Sequence, residues 1–114
     1  EGFASGEMKH GPIALLQDGL PIVSFVSDDD MARKAVSNLK EADARGGHII
    51  VVGTQSALNL LDFADEKITI PECEPLLTPI VGAIPAQILA YLTAFEKGTD
   101  IDQPRNLAKS VTVE

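Results

Sequence analysis

What this chain has little of narrows its class before its motifs are read. One cysteine, Cys73, in 114 residues excludes an internal disulfide framework and fits a reducing, cytoplasmic compartment. Tryptophan is absent and aromatics make up 4% of the residues, too few for a platform that stacks bases or sugar rings. Nine basic residues face 17 acidic ones, a formal net charge of -8. That balance argues against nucleic acid, whose binding rests on neutralising phosphates. An anionic sugar phosphate stays compatible, because a few local donors outweigh an unfavourable overall field. No basic stretch with an apolar run behind it opens the chain, so no secretory leader is predicted. The longest apolar stretch, 76–95, is interrupted by Pro79, Gly82 and Pro85, so no membrane span is predicted either. The chain begins at Glu1 and not Met, as a fragment or processed product does. Also missing are a Walker loop, a GxGxxG run and a Gly-x-Ser-x-Gly elbow. His10 and His48 are not spaced as a zinc pair and Cys73 stands apart, so neither metal nor cofactor is predicted.

What is present suits one modest α/β domain, with 45% hydrophobic residues. Gly11-Pro12 predicts a short helix from about Pro12 to Gln17. PIVSFV (21–26) and HIIVVG (48–53) are near-continuously apolar, as strands covered on both faces are. ITIP (68–71) reads as a third, shorter strand. Between the first two lies the clearest helix. Ser27 or Asp28 caps it, Asp28, Asp29 and Asp30 suit its dipole, and Ala32, Ala35, Val36, Leu39 and Ala42 form a buried stripe. Glu41 and Arg45 are spaced to pair, and Gly46-Gly47 ends the helix. A turn of helix is expected around Ala57 to Leu61. Pro79 and Pro85 lack amide donors, which predicts a helix restarted at Pro85, running to about Lys97 and stopped by Gly98. That helix is apolar round most of its circumference, as one buried in a core or an oligomer interface is. Strands alternating with helices predict a parallel sheet with right-handed crossovers. Three strands are few for a sheet that needs both faces and its edges covered, which points to missing strands upstream.

Three positions carry candidate chemistry. His10 lies in GEMKHGP just before a predicted helix start, whose positive end favours an uncharged imidazole suited to act as a base. The alternative is a cap neighbour that orders a loop. Lys109 lies in a tail where Leu107, Lys109, Val111 and Val113 alternate with Asn106, Ala108, Ser110 and Thr112, the spacing of an extended segment laid against something. Buried there, its amine would lose its charge more readily and could attack a ketone to form a Schiff base. The alternative is a solvated terminal lysine. Glu7 and Lys9 read as a solvated loop pair, and His48 as structural.

GEMKHGPIALL, ARGG and QILAYLTAFEKGTDIDQPRNLAKSVTVE resemble the C-terminal end of the glucosamine-6-phosphate synthase family, the glutamine–fructose-6-phosphate aminotransferases (isomerizing). The resemblance runs from the first residue to the last. It implies a flavodoxin-like parallel sheet flanked by helices, the sugar isomerase (SIS) fold, incomplete at its N-terminal side. Residues 1–114 would form the C-terminal portion of the second SIS subdomain, with a tail at 99–114. It implies that Lys109 forms a Schiff base with open-chain fructose 6-phosphate. It implies that His10 opens the sugar ring in the neighbouring subunit of a homodimer, and that the Ala108 backbone touches the sugar. Glucosamine 6-phosphate is the implied product. The family's glutaminase domain, first SIS subdomain, phosphate-gripping Ser/Thr loop and proton-moving glutamate are not in this sequence, so the chain alone is expected to be inactive. Two other classes compete: a phosphosugar-binding regulatory module, and a non-catalytic dimerisation element.

Overall fold

The computed structural model describes residues 1–103. Residues Glu1–Gly82 form one compact unit, and the segment from Ala83 onward forms a second.

The first unit is built on three strands, β1 (Pro21–Val26), β2 (His48–Gly53) and β3 (Glu66–Thr69). They pair in sequence order and all run parallel, with Pro21 opposite His48, Val26 opposite Gly53 and Ile50 opposite Glu66. Parallel neighbours cannot be joined by tight turns, so helical segments fill the connections: α1 (Ala32–Asp43) after β1 and the single turn α2 (Gln55–Leu58) after β2. β2 is central, and Ile49, Val51 and Val52 are at most 2% exposed. Among the described residues β1 pairs on one side only and leaves Phe25 exposed. An apolar strand at an open edge is compatible with an α/β sheet that lacks its N-terminal strands.

The α1 stripe packs as its spacing requires. Ala32, Leu39 and Ala42 are buried, and Ala35 and Val36 lie half-buried against the core cluster to which these three belong. Its start differs from expectation. Asp28–Met31 form a turn and not helix, because Asp29 caps from outside: its carboxylate accepts from the Met31 amide at 2.7 Å and the Ser27 hydroxyl at 2.8 Å. Its end agrees. Gly46 takes φ 82°, and the Gly47 amide returns to the Ala42 carbonyl at 3.1 Å. Glu41 and Arg45 do not pair through their side chains. Arg45 Nη1 donates to the Glu41 backbone carbonyl at 2.6 Å, leaving the Glu41 carboxylate to Lys9.

Three other expectations are corrected. The short helix after Pro12 is a 3₁₀ turn over Pro12–Leu15. The third strand starts two residues earlier, because its pairing follows Ile50–Gly53, and Ile70 continues it by donating to the Gly53 carbonyl at 2.9 Å. The last helix does not restart at Pro85: α3 (Thr78–Glu96) is one element containing it. Pro79 lies in the first turn, where the amide it lacks has no intrahelical partner anyway. Pro85 removes only the bond to the Val81 carbonyl, and the good helix formers around it, Ala83, Ala86, Gln87 and Leu89, carry the helix across. The prolines therefore do not interrupt the apolar run. By length and composition alone, Pro75–Glu96 is long and apolar enough to cross a bilayer. Gly98, at φ 63°, ends the helix as expected, with the Thr99 amide bonded back to Ala94 at 3.0 Å.

Candidate active site

A 3₁₀ helix repeats every three residues, so residues three apart stack on one face. Ser5–His10 is such a helix, where sequence alone suggested only loop. Ser5 and Met8 share the inner face. Met8 is buried in the core cluster, and Ser5 Oγ accepts from Asn38 Nδ2 of α1 at 3.4 Å. Lys9, on the second face, holds Glu41 of α1 at 2.5 Å. Glu7 and His10 share the third face, which is the exposed one. The Glu7 carboxylate meets His10 Nδ1 at 2.9 Å, and the two side chains are 64% and 72% exposed.

The charge pairing is thus different from the one read in the sequence. Glu7 and Lys9 are not partners: each is drawn away to a different group, Glu7 to His10 and Lys9 to Glu41. The helix following His10 is four residues of 3₁₀, too short to supply the dipole expected there. The charged neighbour of the imidazole is the Glu7 carboxylate. The E-x-x-H spacing was the signal for this contact, and it becomes legible only once the segment is known to be 3₁₀.

The inner end of the same 3₁₀ helix borders a cleft of about 230 Å³, whose lining includes Ser5, Phe25, Ser27, Asp29 and Asn38. It lies past the C-terminal end of β1, where open α/β sheets take ligands. Asp29 is held below the usual carboxylate range, first by the Ser27 hydroxyl, then by the Met31 amide, with burial opposing weakly and the Ala32 amide adding a little. Its bonds fix the turn into α1.

His48 lies elsewhere. Its Nδ1 is 3.6 Å from Asp65 and its Nε2 3.4 Å from Glu66, while Asp65 also accepts from the Ile49 amide at 2.6 Å. This ties the start of β2 to the start of β3. Among the described residues no three metal-ligating side chains gather. Lys109 and Ala108 lie outside the described residues, so of the sequence-named site residues only His10 is placed.

The SIS domain family matches residues 1–97. A glutamine–fructose-6-phosphate aminotransferase (isomerizing) from Zymomonas mobilis is 51% identical over 115 residues, covering 100% of this chain and 19% of the relative. One from Sphingobium yanoikuyae is 49% identical over 118 residues, covering 100% of this chain and 74% of the relative. The solved C-terminal domain of glucosamine-fructose-6-phosphate aminotransferase from Francisella tularensis aligns with a TM-score of 0.82 at 38% identity, covering 89% of this chain and 29% of that one. The chain spans about a fifth of the length of the Zymomonas relative. The family match over residues 1–97 and the relatives that span the whole chain agree: this chain belongs to the SIS domain family and, within it, to the glutamine–fructose-6-phosphate aminotransferases (isomerizing).

Proposed function

We propose that this chain is the C-terminal part of the isomerase half of an enzyme that converts fructose 6-phosphate and glutamine to glucosamine 6-phosphate. The observation that carries this reading is the 49% identity that takes in the whole chain, tail included, and three quarters of the Sphingobium relative. The chain is one portion of the second SIS subdomain, and its last stretch, 99–114, brings the reactive amine to the sugar.

The chemistry divides between two residues. His10 opens the ring. Its Nε2 takes the proton of the anomeric hydroxyl as the bond from C2 to the ring oxygen breaks, and the imidazolium returns that proton to the ring oxygen. The products are the open-chain ketone and an unchanged histidine. Lys109 then attacks C2 as the neutral amine, water leaves, and a C=N bond joins lysine to sugar. Apolar neighbours Leu107, Ala108 and Val111 favour the uncharged amine by excluding water, and the Ala108 backbone contacts the sugar. The His10 side chain is 72% exposed, which suits service in the site of a second subunit, so the working assembly is a homodimer. Pro75–Glu96 falls inside the SIS match at 1–97, so its apolar surface is read as packing surface and the enzyme as cytoplasmic.

Lys109→Arg in the full-length enzyme tests this reading. Arginine keeps the charge and cannot form the imine, so glucosamine 6-phosphate formation is expected to stop. Production at the wild-type rate contradicts the assignment. The isolated 114-residue chain is expected to make none.

A further inference from the structure

We propose that Glu7 is the positioning residue for His10, fixing the ring and its tautomer so that Nε2 is the nitrogen offered to substrate. This rests on the reading of His10 given above and adds a residue to it.

The geometry carries the inference. Glu7 and His10 are three residues apart on a 3₁₀ helix, so their side chains eclipse, and the carboxylate meets Nδ1 at 2.9 Å. An ionised carboxylate only accepts hydrogen bonds, so the proton of a neutral imidazole bonded this way sits on Nδ1. The lone pair is then on Nε2, which has no hydrogen-bond partner among the described residues. A carboxylate on one ring nitrogen is the usual device for orienting a histidine whose other nitrogen works. The platform under the pair is fixed by three ties. Met8 is buried, Ser5 is bonded to Asn38, and Lys9 is paired with Glu41. Among the described residues no other charged group pairs with the imidazole. The Pro12–Leu15 turn brings none, Lys9 is turned to α1, and the acid that α1 offers this helix, Glu41, is taken by Lys9. A solvated surface pair with no task needs none of this anchoring, and it is worth little by itself.

The test uses the full-length enzyme labelled with ¹⁵N-histidine, and three variants. Wild type is expected to show His10 as the Nδ1–H tautomer. Glu7→Ala is expected to lose that signature and to lower kcat about 10- to 100-fold with KM for fructose 6-phosphate little changed. Glu7→Gln keeps an oxygen that accepts from Nδ1, and is expected to retain the tautomer and most of kcat. His10→Ala separates the two claims. If His10→Ala leaves kcat unchanged, the ring-opening assignment itself fails. If His10→Ala is impaired while Glu7→Ala keeps both the tautomer and the rate, the role of Glu7 is overturned. Equal losses in Glu7→Gln and Glu7→Ala overturn it too, because charge and not orientation would then matter.

Discussion

Ile49, Val51 and Val52 on β2 and Ile84, Ile88 and Leu92 on α3 are alike in kind and opposite in surroundings. The first three are at most 2% exposed, and the second three lie between 50% and 55%. β2 finds its cover inside the chain, from α1, α2 and the strands on either side. Ile84, Ile88 and Leu92 of α3 stay half-exposed. Apolar surface of this extent is normally hidden from water. Both segments are equally apolar in sequence, and only β2 is buried among the described residues. The contrast teaches that hydrophobic patterning reports how much a segment needs to be buried. It does not report what buries it.

Two truncations separate β2 and its helices from α3. Leu58→Ala, at a site 1% exposed, is expected to cost about 2–5 kcal/mol in urea unfolding of the isolated chain, and Ile88→Ala less than about 0.5 kcal/mol. In the full-length enzyme Ile88→Ala is expected to become costly. Equal costs for the two in the isolated chain would remove the contrast. Gly53→Ala comes next. A methyl at Gly53 lies 2.7 Å from the Val26 carbonyl oxygen, so β1 and β2 must shift, at about 1–3 kcal/mol by thermal unfolding. Lys9→Met is smaller, below about 1 kcal/mol, because both partners of the Lys9–Glu41 pair are part-exposed.

The smallest effect belongs to Asp29. Its folded carboxyl lies below the ordinary value of 3.8, chiefly through the Ser27 hydroxyl. The stabilisation it gives is therefore complete above that value and is lost as pH falls through the lower folded one. Wild type is expected to exceed Asp29→Asn slightly near about pH 6, and the gap is expected to shrink as the pH falls below the ordinary value of 3.8. A gap that widens on acidification would contradict this sign.

Much of the first unit was legible in the sequence because its signals are local. β-branched runs marked β1 and β2, the stripe from Ala32 to Ala42 marked α1, and Gly46-Gly47 marked its end. What was missed depended on contacts between segments. Asp29, and not Ser27 or Asp28, caps the turn into α1, and Glu41 prefers Lys9 to Arg45 because the 3₁₀ helix brings Lys9 within reach. Pro85 carries the local signal of a break, yet the helix formers around it absorb one lost bond. At the site, GEMKHGP marks His10, while its contact with Glu7 depends on the segment turning as a helix and not running as a loop. Lys109 and Ala108 rest on sequence alone.

The most direct measurement is borohydride reduction of the full-length enzyme saturated with fructose 6-phosphate, followed by peptide mass spectrometry. A reduced hexose phosphate joined to Lys109 is the expected product. Sugar bound to the enzyme with Lys109 left unmodified would contradict the Schiff-base role and leave a phosphosugar sensor in its place.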